Sequence, residues 1–376
     1  MPVNKYIILI LWCICLFFIK IETIFASNSS DSVYYGLEIK YHIGFVVPHH
    51  PDMIYYLKDY TKSGEINFIR RRYKSENWES DFKRLETGIG LWYSSLGNQK
   101  IYGQCLAIYP FLNLNLFKAG NFDVKTRVAL GIGYSNNPYN SNSNPFNAVM
   151  GSHFNAYIGF GLMMYYPIVK NLYLQGGMSL NHLSNGAVSK PNHGMNNLAL
   201  TFGAKYDLTE PNDFINKHKM PKTKNRELIT TFSVARNQPA LFYYKKFWSG
   251  SLTATHLWYV NEKTALGLGA DFIRYGGAPF ANKGLSEFDE NFSYNFSDYF
   301  YMGIITKMEF FLGSTSLYMA PGVYLYYKTE PRQPVYARLG VKQKIYGNIY
   351  AHFGIKADFF TAEFIEFGLG YRCKLK

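Results

Sequence analysis

The sequence predicts an all-β protein that crosses a membrane as an antiparallel β-barrel of about 14–16 strands. The chain of 376 residues is rich in Tyr, Phe and Gly, with 33, 30 and 32 copies. Many segments of about ten residues alternate between apolar and polar side chains. After the N-terminal segment, no stretch is long and apolar enough for a membrane helix. A closed barrel is the membrane structure that fits these observations, because lipid leaves no backbone polar group unpaired.

The first 26 residues are typical of a cleaved secretory signal peptide. Lys5 precedes an apolar run from Tyr6 to Ile19, and cleavage is expected after the small residue Ala26. An N-terminal anchor helix is the alternative, but the apolar run is short for a membrane span. Export and a membrane barrel together predict the cell outer membrane as the location.

The last segments of the chain show the alternation most clearly. Ile365, Phe367 and Leu369 share one face of the final strand, and Glu366 and Arg372 share the other. A soluble barrel or sandwich, the alternative, would bury the apolar face in a core. A membrane barrel turns that face to lipid and keeps the charged set in its lumen. The charged second face favours the membrane barrel.

Sixteen candidate strands are expected, with long connections at the outer end and short turns at the inner end. Their expected starts lie near Tyr34, Glu65, Glu86, Ile101, Val124, His153, Asn171, Gly194, Glu227, Tyr243, Lys263, Tyr299, Ser316, Val335, Asn348 and Ala362.

Two arrangements of these strands fit the pattern. In the preferred one, residues 208–376 complete or extend a single barrel that residues 27–207 begin. In the alternative, two tandem eight-stranded barrels are joined between Pro211 and Asn225. The alternative ranks lower because a second barrel needs its own closure.

Polar side chains occupy the lipid-facing side of two neighbouring strands at their outer ends. His182 and Ser184 share the face of the apolar residues on one strand, and Asn196 shares it on the next. A serine becomes a nucleophile when a base takes its proton and a third group holds the base. The pattern predicts a lipid esterase in the membrane plane. The alternative is that strand ends simply become polar where they leave the bilayer.

The connection between these two strands supplies further candidates. Ester hydrolysis needs hydrogen-bond donors for the tetrahedral oxyanion. The candidate donors, by proximity in sequence, are the backbone amides of Asn185, Gly186 and Ala187 and the side chain of Asn192. Lys190 and His193 are candidate contacts for an anionic lipid head group, or else solvated loop residues.

The stretch "HLSNGAVSKPNHGMN" resembles the signature of the lipid A 3-O-deacylase (PagL-type) family of outer-membrane enzymes, also grouped as acyloxyacyl hydrolases. The resemblance spans roughly Tyr34 to Asp207, which it marks as a deacylase-like region. It implies an eight-stranded barrel that removes an ester-linked acyl chain from lipid A of the outer leaflet. It also implies Ser184 as the nucleophile and His182 as the general base.

The third catalytic position departs from the family pattern. The family's acidic residue, fourteen positions after the histidine, is Asn196 here. An amide can orient the imidazole but cannot stabilise its positive charge as a carboxylate does. The alternative function is therefore a porin-like or structural barrel with a degenerate, inactive motif.

The expected partners are lipid A, or lipopolysaccharide, and the outer membrane, with a phospholipid substrate left open. The formal net charge of +13 suits anionic lipid, and no nucleic-acid partner is expected. No cofactor or metal is predicted, since His42, His49, His50 and His153 show no ligand spacing. Spacing leaves the pairing of the two later cysteines, at positions 105 and 373, undecided.

Overall fold

The structure is a computed structural model that describes most of the chain. The described residues are 33–72, 85–209, 226–241, 243–281, 295–331, 333–358 and 361–375. The expected signal peptide and the expected joint between Pro211 and Asn225 lie outside these ranges. Within them, no helix has the length and apolar character needed to cross a membrane.

The first eight strands form a closed barrel, here called barrel 1. Each strand pairs antiparallel with its neighbour, and β8 returns to pair with β1. A short helix, α1 (Pro51–Tyr56), follows the first strand. The strands are β1 (Val33–Val46), β2 (Thr61–Arg72), β3 (Glu86–Ser95), β4 (Gln104–Ala119), β5 (Phe122–Ser135), β6 (Phe154–Val169), β7 (Leu172–Ser184) and β8 (Met195–Asp207).

The next eight strands form a second closed barrel, barrel 2, in which the last strand pairs with the ninth. A short helix, α2 (Ala278–Ala281), and a 3-10 helix, Phe296–Tyr299, lie in one connection. The strands are β9 (Arg226–Asn237), β10 (Phe247–Asn261), β11 (Thr264–Arg274), β12 (Phe300–Leu312), β13 (Thr315–Tyr327), β14 (Val335–Tyr346), β15 (Ile349–Asp358) and β16 (Thr361–Leu375).

The prediction of an all-β barrel protein with sixteen strands is confirmed, and every expected start lies within four residues of an observed one. The single large barrel, which was the preferred arrangement, is not formed. Strand β8 pairs with β7 on one side and β1 on the other, so it offers no edge to β9. The alternative of two tandem eight-stranded barrels is the one observed. Alternation could not decide this, because it is the same in one large barrel and two small ones.

The two late cysteines lie in different barrels. Cys105 is buried in barrel 1, and Cys373 is exposed at the end of barrel 2. Both thiols are free, so the two residues do not form a disulfide.

Strand β1 shows how the alternation maps onto the barrel wall. Leu37, Ile39 and Tyr41 point outward and are exposed. Glu38 and Lys40, between them, point into the lumen and are buried. An apolar outer wall around a charged lumen is the pattern of a membrane barrel, as the sequence predicted.

The lumen of barrel 1 is filled by buried ion pairs. Arg127 donates to Glu38 and to Glu65, each at 2.6 Å. Lys40 lies 3.0 Å from Glu38 and 3.2 Å from Glu65. The cavity beside this cluster measures about 20 Å³, which is room for about one water molecule.

Barrel 2 is filled in the same way by a separate set of charges. Arg338 pairs with Asp271 at 2.9 Å and also with Glu366. Lys342 pairs with Glu309 at 2.9 Å. These five side chains are nearly inaccessible to solvent, and an eight-stranded barrel is just narrow enough for such side chains to fill.

The two ends of barrel 1 differ, as expected for an outer-membrane barrel. At one end, two of the three connections are two-residue turns, at 120–121 and 170–171, and residues 73–85 form the third. The other end, here called the loop end, carries long connections. These include the first loop (47–60), the third loop (136–153) and the motif loop (185–194).

Replacing Arg127 by Met is expected to destabilise the protein, because it leaves Glu38 and Glu65 buried with less compensating charge. Breaking a buried pair of this kind costs about 3–5 kcal/mol. The free energy of unfolding in urea, measured in detergent, should fall accordingly. Lys118→Met is the matched control, since Lys118 is exposed on the same barrel. Equal unfolding midpoints for the two variants would contradict this account of the lumen.

Candidate functional site

His182 and Asn196 form a hydrogen-bonded pair on the outer wall of barrel 1, beside the motif loop. They lie opposite each other in the pairing of β7 with β8. The His182 Nδ1 atom lies 2.7 Å from Asn196 Oδ1. Since an amide oxygen only accepts, Nδ1 carries the proton, and the Nε2 atom of His182 keeps its lone pair. The imidazole is thereby held in the tautomer that a general base needs.

His49, in the first loop, lies behind Asn196, next to the nitrogen of its amide. The His49 Nε2 atom lies 2.8 Å from the carbonyl oxygen of His193, to which it donates. Its Nδ1 atom lies 3.3 Å from the carbonyl oxygen of Val47 and 3.5 Å from the Nδ2 atom of Asn196. The Asn196 amide thus turns its nitrogen toward His49 and its oxygen toward His182. Sequence reasoning missed this role, and the only signal for it was the histidine pair after Pro48.

Ser184 is buried where β7 enters the motif loop, and its hydroxyl is surrounded by donors. The Nδ2 atom of Asn192 lies 3.0 Å from Ser184 Oγ, and the backbone N–H of Gly186 donates to the same oxygen at 3.2 Å. The Oδ1 atom of Asn192 accepts from the backbone N–H of Asn185 at 3.0 Å, which fixes this amide as well. In the described part of the chain, no hydrogen bond joins Ser184 to His182.

The motif loop opens with a tight turn after Ser184. The Val188 N–H bonds to the carbonyl of Asn185 at 3.2 Å, and φ is +59° at Gly186 and +60° at Ala187. Positive φ at both central residues is the geometry of a type I′ turn, and it is strained for alanine. The Ala187 N–H meets no acceptor among the described residues, although Ala187 is buried. Because Ala187 follows Ser184 by three residues, this N–H is a candidate donor for an oxyanion.

Gly194 ends the motif loop directly against the imidazole of His182. Its φ is +76°, and a Cβ atom there would lie 3.0 Å from His182 Cε1. The backbone N–H groups of His193 and Gly194 donate to Ala148 and Val149 in the third loop, at 3.4 and 3.1 Å. These bonds hold the loop beside His182, and only glycine fits at its last position.

Barrel 2 holds the motif loop from the other side. The Gln238 N–H donates to the carbonyl of Ala187 at 2.9 Å, and its Oε1 atom accepts from the Lys190 N–H at 2.9 Å. The Lys246 ammonium donates to Ser189 Oγ at 2.7 Å. Burial, and secondarily the nearby Arg236, lowers the pKa of Lys246. These contacts between the barrels could not be predicted from the alternation in the sequence.

The two predicted head-group contacts have different surroundings. Lys190 is anchored by its backbone to Gln238, on the side of barrel 2. His193 packs against His50, with ring centroids 3.8 Å apart and ring planes inclined by 31°, and its Nε2 atom lies 3.8 Å from Asp52 Oδ2. Burial, reinforced by the neighbouring His50, lowers the pKa of His193.

Comparison with protein families decides the assignment. The profile of the lipid A 3-O-deacylase (PagL) family matches residues 68–205. The profile of the acyloxyacyl hydrolase C-terminal domain matches residues 226–375, so the two together cover most of the chain. The chain belongs to the PagL family. Membership implies a hydrolase that deacylates lipid A in the outer membrane, and it confirms the resemblance seen in the sequence.

Other comparisons of this PagL-family protein give distant matches. No curated protein sequence matches it. Neisserial surface protein A is 14% identical and matches 47% of this chain and 99% of its own, with a TM-score of 0.30. A triple mutant of Rhodopseudomonas blastica porin is 8% identical and matches 92% of this chain and 100% of its own, with a TM-score of 0.18. At these scores the fold assignment rests on the strand pairing of this chain.

Replacing Gly194 by Ala is expected to lower the rate of lipid A deacylation by displacing the imidazole of His182. The matched control is Gly120→Ala, because Gly120 also has positive φ, +60°, but a Cβ atom there would meet nothing within 4 Å. Both variants carry the backbone strain of positive φ, and only Gly194→Ala carries the clash. Release of fatty acid from purified lipid A measures the rate. Equal rates for the two variants would show that the approach of Gly194 to His182 is unimportant.

Proposed function

We propose that this protein is a serine esterase that removes an ester-linked acyl chain from lipid A in the outer leaflet of the outer membrane. The observation that carries the proposal is the His182–Asn196 pair at the loop end, on the lipid-facing wall of barrel 1. Ser184 follows His182 by two residues and so belongs to the same face of the strand. An acyl chain lying against this wall would bring its ester bond to the level of these side chains.

The proposed reaction begins with attack of Ser184 Oγ on the carbonyl carbon of the ester. The Nε2 atom of His182 takes the serine proton as the bond forms, and the tetrahedral oxyanion accepts from the Ala187 N–H and the Asn192 amide. Collapse expels the sugar alkoxide, which takes the proton from His182. Water then hydrolyses the acyl-enzyme, with His182 again acting as base, and releases the free fatty acid and Ser184.

The attack requires the Ser184 hydroxyl to turn from Asn192 toward His182. Catalytic hydrogen bonds are often unformed before substrate binds. An ester carbonyl that takes the hydrogen bonds of the Asn192 amide would free the hydroxyl for this rotation. Asn192 thus serves as a resting partner of Ser184 and as an oxyanion donor in the reaction.

The filled lumens disfavour the alternative of a porin-like barrel. Arg127 and its carboxylate partners cross the lumen of barrel 1, and Arg338 and its partners fill barrel 2. A diffusion channel needs a wider, water-filled lumen than eight strands provide. A structural barrel with an inactive motif is the remaining alternative, and the experiments below test it.

Expression of the intact protein is expected to remove one acyl chain from the host's lipid A, and Ser184→Ala is expected to abolish this loss. Mass spectrometry of extracted lipid A measures the change. The matched control is Ser179→Ala on the same strand, whose hydroxyl faces the lumen and bonds to Thr201. Acyl loss that survives in Ser184→Ala would refute the assignment of the nucleophile. A pore would be favoured if the intact protein removed no acyl chain from lipid A and if liposomes that contain it swelled.

Replacing Asn196 by Asp is expected to raise the deacylation rate at least about tenfold. The carboxylate would stabilise the imidazolium that forms on His182, and the reverse change in a serine triad costs on the order of ten-thousand-fold. Asn142→Asp is the control for an added charge, because Asn142 is exposed in the third loop. Initial rates with purified lipid A measure the effect. An unchanged or lower rate in Asn196→Asp would mean that the site depends on the amide's contact with His49.

The route to the membrane follows from the N-terminal segment. We propose that residues 1–26 are a signal peptide removed on export, that residues 27–207 contain the deacylase region, and that residues 208–376 support it. The mass of the mature protein tests the first point. Cleavage after Ala26 would leave Ser27 as the first residue.

A further inference from the structure

Three side chains suited to bind a metal converge at the loop end, where the first loop meets the motif loop. His50 directly precedes α1, Asp52 lies in its first turn, and His193 lies in the motif loop. Each offers one ligand atom, and the three atoms lie within 4.8 Å of one another. The sequence could not reveal this group, because His193 is far from the other two along the chain.

Backbone hydrogen bonds hold His193 on one side of this group and His50 on the other. The carbonyl of His193 accepts from His49, and its N–H donates to Ala148 in the third loop. On the other side, the N–H of Met53 bonds to the carbonyl of His50, which fixes the start of α1. The three side chains therefore face one another because their backbones are tied down.

The side chains of His50, Asp52 and His193 make no hydrogen bonds within the described structure. The separation of 3.8 Å between His193 Nε2 and Asp52 Oδ2 is too long for a hydrogen bond. Neither His50 nor the Asp52 carboxylate makes a side-chain hydrogen bond to another described residue. Each side chain is half-buried, so all three can be reached from solvent.

We propose that His50, Asp52 and His193 form a binding site for a divalent transition metal of the zinc type. Two imidazoles and a carboxylate are a usual zinc donor set, and three protein ligands leave a fourth position for water or another oxygen ligand. Ligand bonds of about 2.0–2.1 Å place tetrahedral ligands about 3.3 Å apart. Small movements of the three side chains would bring them to that spacing. Magnesium and calcium are disfavoured, because they prefer oxygen ligands.

A metal at this site would tie the first loop to the motif loop beside the candidate base. His193 is followed by Gly194, which lies against the His182 ring. His49, next to His50, contacts Asn196. This consequence rests on the proposed function, whereas metal binding itself does not. Bound zinc is expected to stabilise the loop arrangement around His182 and so to raise the deacylation rate.

The test is zinc binding by the full-length protein, purified in detergent without a polyhistidine tag and stripped with a chelator. Calorimetric titration with zinc chloride and metal analysis after gel filtration should give one ion per chain. His50→Ala and Asp52→Asn are expected to lose this binding. The matched control, His153→Ala, should keep it, because the His153 ring bonds to the carbonyl of Ser135 at the end of β5, away from the three ligands. Folding of each variant is checked by gel electrophoresis with and without heating. A variant in which both barrels are folded should show the same heat-dependent shift in mobility as the intact protein.

Two outcomes would overturn the proposal. One is an intact protein that takes up no zinc at micromolar concentrations. The other is a His50→Ala protein that binds zinc as tightly as the intact protein. Ser184→Ala separates this proposal from the proposed function, since that variant should bind zinc normally and lose deacylation. Zinc binding without any deacylation by the intact protein would refute the esterase and leave the metal site standing.

Discussion

The constraint on which the structure depends is that a bilayer offers no partner for backbone N–H and C=O groups. Each set of eight strands satisfies it by closing on itself. Closure fixes which side chains face lipid and which face the lumen, residue by residue along every strand. Closure therefore places His182 and Asn196 on the outer wall of barrel 1. An acyl chain of a lipid can reach this wall easily, whereas a water-soluble substrate cannot.

The candidate site is formed partly by the paired strands β7 and β8 and partly by the irregular backbone of the motif loop. The candidate base His182 and its partner Asn196 lie on paired strands, so their separation is fixed by the register of β7 and β8. Ser184 and the candidate oxyanion donors lie at the entry to the motif loop, where φ is positive at Gly186 and Ala187 and the Gly186 N–H donates to the serine hydroxyl. Loops can present donors in directions that a strand cannot, because a strand uses its own N–H groups in the ladder.

The features that depend on local pattern, which are the strands and the faces of their side chains, could be predicted from the sequence. Period-two alternation located sixteen strands and put His182 and Asn196 on the same face of neighbouring strands. It could not show where the sheet closes, because closure depends on which strand β8 meets next. Nor could it show His49 behind Asn196 or Gln238 on Ala187, because these contacts join residues far apart in the chain. Such contacts follow from the placement of loops, which alternation does not encode.

The contact between barrel 2 and the motif loop has a consequence for how the two halves act together. It consists of hydrogen bonds from Gln238 and Lys246 and of the packing of Ile365 against Gly186, where a Cβ atom would lie 2.2 Å from the isoleucine side chain. The sixteen residues 210–225 join the two barrels in one chain, so the two sides of the contact meet without diffusing together through the membrane. Every motif loop is therefore supplied with one barrel 2, and this ratio of one to one cannot change with the amount of protein in the membrane.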